Sequence, residues 1–199
     1  ARMLANQKLN TMTFIEMIRV VASGGDVPKC ELANHRTPDK LKDMVGKTVP
    51  PFKGVDFDGV DQAASYYKGL TRMLIVFWSP SCGHCRQELP RLELFNRTLA
   101  KEHNVQIIGL VTLPEEDTEQ AEKFTDISRK IVDQLHLTFP IVPDYGRIFM
   151  DSYQVTGVPS MFLVDYDGRI VEAFSGQFKF TAEVLDCILS DMEGKKQAP

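Results

Sequence analysis

The sequence predicts an α/β fold: a central mixed sheet flanked by helices. Three observations carry it. Short apolar runs rich in β-formers, chiefly Met73–Trp78 and Val105–Val111, alternate with longer helical segments. Those two runs lack polar alternation, the pattern of parallel strands covered on both faces. Near the end, two further apolar runs flank Tyr166-Asp167-Gly168, a hairpin signal that adds an antiparallel edge.

In chain order, residues 3–22 carry Leu9, Met12, Ile15 and Ile18, and also Phe14, Met17 and Val21. Steps of three and four predict a helix with a broad apolar face. Ser23-Gly24-Gly25-Asp26 stops it, and the polar residues 26–47, with Pro28 and Pro38, read as a connector. Residues 1–44 are therefore taken as an N-terminal helical extension and connector, 45–193 as the main domain and 194–199 as a polar tail. Phe52–Phe57 reads as a short strand closed by Asp58-Gly59. Met73–Trp78 is too short for a buried helix and reads as the central strand. Ser79-Pro80-Ser81 breaks it, and a helix from about Cys82 to Glu102 follows, kinked at Pro90. Val105–Val111 is the next strand. Pro114-Glu115-Glu116-Asp117 opens a helix reaching Gln134, acidic where the helix dipole favours it. Phe139–Val142 is a short strand and Tyr145–Tyr153 a short helix. Ser160–Asp165 and Ile170–Phe174 form the hairpin, and Thr181–Met192 the closing helix. Phe139, Phe149, Phe162 and Phe174 are expected in the core.

The 199 residues are 43% hydrophobic and 25% charged, enough to bury one real core with an extension. A net charge of −4 offers no basic face for a phosphate backbone, which argues against nucleic acid as partner. No run of 18 apolar residues exists, so no transmembrane segment is expected. Met12–Ala22, interrupted by Thr13, Glu16 and Arg19, lacks the marks of a signal peptide. The opening Ala1 reads as a mature or trimmed form whose signal or anchor is missing.

Chemistry concentrates at Trp78-Ser79-Pro80-Ser81-Cys82-Gly83-His84-Cys85. Cys82 falls where a buried strand hands over to a helix. A sulfur there faces unpaired N–H groups and the positive end of the dipole, which favour thiolate. Such cysteines reach pKa values of about 3.5–7.5. Cys85 lies one turn on, where the two sulfurs can close a small disulfide. Cys82 is thus the expected attacker of a partner's disulfide, and Cys85 the thiol that resolves the mixed disulfide. The charge of His84 would favour the thiolate and make the couple more oxidising; the alternative is an exposed histidine with no role. Glu88, three residues after Cys85, could accept the proton that Cys85 must lose; the alternative is a surface glutamate. Val158-Pro159 precedes an apolar strand. A cis bond there would offer the Val158 backbone as a docking edge, although trans is the ordinary form.

Cys30 lies in the connector and Cys187 in the last helix. A disulfide between them would clamp the extension to the domain, with about 4–5 kcal/mol on chain-entropy grounds; the alternative is two unpaired thiols. His35, His103 and His136 have no metal-ligand spacing, and His136 reads as a helix C-cap. Cys85 is followed by Arg86, which excludes a haem attachment signature.

The stretch Phe77–Cys85, then Glu88-Leu89-Pro90, then Gly157-Val158-Pro159-Ser160-Met161-Phe162-Leu163-Val164-Asp165 with Asp167-Gly168, resembles the ResA/TlpA branch of the thioredoxin superfamily. The resemblance spans about residues 45–193. It implies a thioredoxin-like fold with an extra helix–strand insertion and a cis Pro159. It also implies a nucleophilic Cys82, a resolving Cys85 and Glu88 as active-site acid. Trp78, Val158 and Pro159 are expected to bind substrate. Members act outside the cytoplasmic membrane, in the periplasm or anchored there, and many are reductants, for instance in cytochrome c maturation. Protein thiols or disulfides are the expected substrates, with a membrane redox partner and no cofactor or metal. Two positions depart from the pattern: Gly83-His84 is similar to the dipeptide of protein disulfide isomerases, and thioredoxin's buried aspartate position is Val76.

Three functions compete. The first is disulfide exchange on other proteins, in the reductase direction. The second is a copper- or zinc-delivery module using the two thiolates, which need further ligands for zinc. The third is a peroxidase of the same superfamily, which would carry threonine before its reactive cysteine and lack the close C-x-x-C pair.

Overall fold

The computed structural model describes residues 39–176 and 181–197, with side chains described over 41–176 and 181–194. In chain order they form α1 (Asp39–Lys42), β1 (Lys53–Val55), β2 (Asp61–Ala63), α2 (Ala64–Tyr67), β3 (Arg72–Trp78), α3 (Gly83–Thr98) and β4 (Val105–Leu113). Then follow α4 (Glu119–Leu135), β5 (Ile141–Tyr145), α5 (Ile148–Ser152), β6 (Ser160–Val164), β7 (Ile170–Ser175) and α6 (Thr181–Gln197).

Five strands make the main sheet in the order β5-β4-β3-β6-β7. β3, β4 and β5 run parallel, with Trp78 opposite Val111 and Gly109 opposite Ile141. β6 lies antiparallel to β3, with Ile75 opposite Phe162, and β7 antiparallel to β6. This is the expected mixed, thioredoxin-like sheet, and α4 with β5 forms the inserted helix–strand pair.

All seven residues of β3 are buried, because both faces of the sheet are covered. Leu74, Val76 and Trp78 enter one core with Leu89, Leu92 and Phe95 of α3 and Leu185, Ile188 and Leu189 of α6. Met73, Ile75 and Phe77 enter the other, with Leu41, Met44, Tyr153 and Phe162. The hairpin between β6 and β7 closes through Asp165, whose N–H donates to Arg169 O at 2.9 Å, and through Gly168 at φ 80°. Of the four phenylalanines expected in the core, Phe139, Phe162 and Phe174 are buried and Phe149 is half-buried.

Several elements differ from expectation. The strand expected over 52–57 is only Lys53–Val55, and it pairs with β2 in a separate two-stranded ribbon. The Asp56 carboxylate builds that ribbon's turn, accepting from Asp58 N at 3.0 Å, Val60 N at 2.8 Å and Gln62 Nε2 at 2.7 Å. The strand expected over 139–142 is Ile141–Tyr145 and contains Pro143, which an edge strand tolerates. The next helix starts late, because Gly146 and Arg147 take left-handed turns at φ 62° and 64°. Asp144 then caps it, its two oxygens accepting from Phe149 N at 2.8 Å and Met150 N at 2.9 Å. Burial holds the Asp144 carboxyl above its ordinary value, against those two amides. α4 runs from the Thr118 cap to His136, which takes the left-handed C-cap at φ 51°. α6 continues to Gln197, through most of the expected tail. Leu41 and Met44, expected in the connector, are core residues. The expected extension helix over 3–22 lies outside the described residues.

A charge cluster around the buried Arg72 and His103 sits at the start of β3, the end remote from Cys82. Arg72, 2% exposed, donates to Asp165 Oδ1 at 3.2 Å, Glu193 Oε1 at 2.7 Å and His103 O at 3.0 Å. His103 Nε2 lies 2.7 Å from Asp186 Oδ1, and Nδ1 3.3 Å from Glu193 Oε1. The cluster fastens α6 to the sheet.

Candidate active site

β3 delivers the chain to the site at its C-terminal end. After Trp78 the chain turns: Cys82 N donates to Ser79 O at 3.1 Å, and the Arg86 guanidinium holds Pro80 O at 2.8 Å. Cys82 is the N-cap of α3, with extended backbone (φ −88°, ψ 111°). Its Sγ accepts from Cys85 N at 3.1 Å, as a capping side chain does. The expectation that the helix begins at Cys82 shifts by one residue, and the shift places the sulfur over the free N–H groups of the first turn.

Cys82 and Cys85 form a disulfide with Cα atoms 5.3 Å apart. The two sulfurs are not equivalent. Cys82 is half-buried and Cys85 is 1% exposed, so a visiting protein reaches the first and not the second. Val158 O lies 3.5 Å from Cys82 Sγ, and the Val158–Pro159 peptide is cis, as the resemblance implies and the ordinary preference does not. Pro159 is buried, and its carbonyl accepts from Gly176 N at 2.8 Å, which ties the loop to the end of β7.

Glu88 is 1% exposed, which removes the surface-glutamate alternative. One oxygen accepts from the Thr181 hydroxyl of α6, the other from Arg91 Nη1 at 3.3 Å. His84 is exposed on the first turn of α3. Val76 is 1% exposed and apolar, so Glu88 is the buried carboxylate nearest the thiols along α3. Thr181 escaped the sequence reading. The sequence places it only as the first residue of the closing helix, and nothing local shows what its hydroxyl faces.

Trp78 requires a correction. It was expected to contact substrate, but its side chain is 0% exposed and packs in the core beside Cys85, Leu89 and Phe139. It supports the site from beneath. Gly109 of β4 makes room for it: a side chain there would come within 3.3 Å of the indole Nε1.

Cys187 is half-buried on α6, and no described cysteine is a free thiol. Cys30, its expected partner, lies outside the described residues. Among the described residues no group of three His, Cys, Asp or Glu side chains is placed to hold a metal, and no helix is long and apolar enough to cross a membrane.

An accessible sulfur on a helix N-terminus, with a buried second sulfur bonded to it, is suited to accept and return two electrons. The family pattern described as Redoxin matches residues 44–188. The chain belongs to the Redoxin family. This Redoxin chain is 34% identical over 172 residues to the thiol-disulfide oxidoreductase ResA of Bacillus anthracis, covering 85% of this chain and 91% of that one. It is 29% identical over 131 residues to the thioredoxin-like protein YneN of Bacillus subtilis (strain 168), covering 66% and 71%. Among solved structures it resembles StoA from Bacillus subtilis, with TM-score 0.57, 22% identity and coverage of 71% and 97%. A thiol:disulfide interchange protein of the thioredoxin family from Chlorobium tepidum matches with TM-score 0.59, 18% identity and coverage of 73% and 95%. At such identities these two speak for the thioredoxin-like fold alone. Redoxin membership, the ResA relatives and the Cys82–Cys85 pair make the chain a thiol–disulfide oxidoreductase. Metal delivery through the same thiolates is not favoured.

Proposed function

We propose that the protein reduces disulfides in other proteins outside the cytoplasm, taking its electrons from a membrane redox partner. The difference in accessibility between Cys82 and Cys85 carries this reading. An extended segment of the partner lies along the Val158 backbone, beside Cys82. The Cys82 thiolate attacks one sulfur of the partner's disulfide; a mixed disulfide forms and the partner's other sulfur leaves as thiolate. Cys85 then gives its proton to Glu88 and attacks Cys82 Sγ. The Cys82–Cys85 bond forms, the mixed disulfide breaks and the partner leaves carrying two electrons. The relatives named thiol-disulfide oxidoreductase ResA support the exchange; the reductase direction and a place in cytochrome c maturation are what the resemblance to the ResA/TlpA branch implies. Cys30 and Cys187 form a structural disulfide in this reading, which a thiol count on the unfolded protein after blocking would detect.

Insulin reduction with dithiothreitol tests the exchange. Cys82→Ser abolishes turnover, and Cys85→Ser accumulates a mixed disulfide on Cys82 that non-reducing electrophoresis displays. The direction is tested by the reduction potential of the couple. A reductant lies below about −250 mV; a value of about −120 to −180 mV would place the protein with oxidants and isomerases and overturn this half of the reading.

A further inference from the structure

We infer that Thr181 is a positioning residue for Glu88, and that its hydroxyl sets the pH range over which Glu88 takes the proton of Cys85. The inference rests on the reading above in which Glu88 accepts that proton.

Glu88 and Thr181 are 93 residues apart in sequence and both 1% exposed. A buried carboxylate needs donors, and Glu88 accepts from side chains of two different elements. Arg91 belongs to α3 itself, one turn beyond Glu88, and its side chain is 34% exposed. It moves with the helix that carries the thiols, so it cannot fix the carboxylate relative to anything else. Thr181 opens α6, a separate element. A hydroxyl has a single hydrogen to donate, and Thr181 directs it at Glu88 Oε1.

The position of Thr181 is itself set from afar. α6 packs Ala182, Leu185, Ile188 and Leu189 into the core that also holds Cys85. Further along, it is held by Asp186 on His103 and by Glu193 on Arg72. The hydroxyl therefore meets Glu88 at a point fixed by the whole helix. A hydrogen bond donated to a carboxylate favours its ionised form, and Glu88 receives the Cys85 proton only when ionised. As Cys85 loses its proton to Glu88, its sulfur bonds to Cys82 and the partner's sulfur leaves with the bonding pair.

The experiment uses the full reduced chain and the disulfide reagent DTNB. Attack by Cys82 releases one thionitrobenzoate, and resolution by Cys85 releases the second, so the two steps separate in stopped flow. Thr181→Val moves the acid limb of the second phase upward by about one pH unit and leaves the first phase in place. Thr181→Ser, which keeps the donor, retains the wild-type profile. Glu88→Gln removes that limb, and Thr181→Val added to it changes nothing more. An unshifted limb in Thr181→Val, with the limb lost in Glu88→Gln, overturns the positioning role and leaves that of Glu88 intact. A Thr181→Ser profile shifted as far as that of Thr181→Val also overturns it, since packing and not the hydroxyl would then matter. A limb that survives Glu88→Gln overturns the role of Glu88 and this inference with it. If near-ultraviolet circular dichroism shows that Thr181→Val is unfolded, Thr181→Ala takes its place with the same expected shift.

Discussion

Two cysteines three residues apart differ because one caps a helix and the other sits inside it. Cys82 accepts an amide of the first turn while Cys85 packs against the core, so chemistry enters through one sulfur and is completed by the other. His84 lies exposed between them. A positive charge there would favour the thiolate and hence the reduced form. We expect His84→Ala to make the couple more reducing by about 20–40 mV, measured against glutathione or dithiothreitol; an unchanged potential would assign His84 no electrostatic role. The attacking and resolving thiols were legible because a strand-to-helix handover is a local signal and C-x-x-C spacing is one helical turn. Glu88 was legible for the same reason. Thr181 was not, because a contact across 93 residues leaves no periodic trace. Trp78 was misread because its place next to the motif is visible in the sequence, whereas the face of β3 from which it projects brings it under the site.

At the scale of elements, what was legible depended on length and pattern. The run Met73–Trp78 announces β3, and Tyr166-Asp167-Gly168 announces the hairpin, because burial on two faces and turn chemistry are local demands. β1 and β2 hold three residues each, and their ribbon is built by one carboxylate, Asp56, that no hydrophobic period reveals. α5 depends in the same way on Asp144. Removing that side chain leaves a buried amide (Met150) and a half-buried one (Phe149) without acceptors, so Asp144→Ala should cost about 2–3 kcal/mol in urea unfolding. The charge cluster under α6 gives a pH dependence. Burial works against the Glu193 carboxylate, but Arg72 and His103 outweigh it and hold it below its ordinary value of 4.5. A carboxyl lowered on folding contributes stability that is present above the unfolded value and lost as pH falls through the folded one. Glu193→Gln should therefore cost about 0.5–1 kcal/mol near neutrality, a modest figure because Glu193 is 39% exposed and solvent screens the pair. That difference should shrink below the ordinary value and vanish in strong acid. A difference independent of pH would mean that packing, not charge, holds this end of the helix.

For the whole molecule, redox state and folding stability are two sides of one cycle. A protein that gains stability on reduction holds its electrons and is an oxidant; one that gains stability on oxidation gives them up. The disulfide joins the N-cap to the buried Cys85 in the first turn of the helix that carries Glu88, so oxidation ties the two residues at the head of α3 together. If the protein is a reductant, the oxidised form should unfold at a higher urea concentration than the reduced form, at the same pH. Each 30 mV by which the native couple lies below that of the unfolded chain corresponds to about 1.4 kcal/mol of that difference. The readout is built in. Trp78 is the single tryptophan of the chain and packs in the same core as Cys85, so its emission should rise when the disulfide is reduced and report unfolding in both states. A reduced form more stable than the oxidised one would point electron flow into this protein, even if insulin reduction under excess dithiothreitol looked normal, because that assay imposes its own direction.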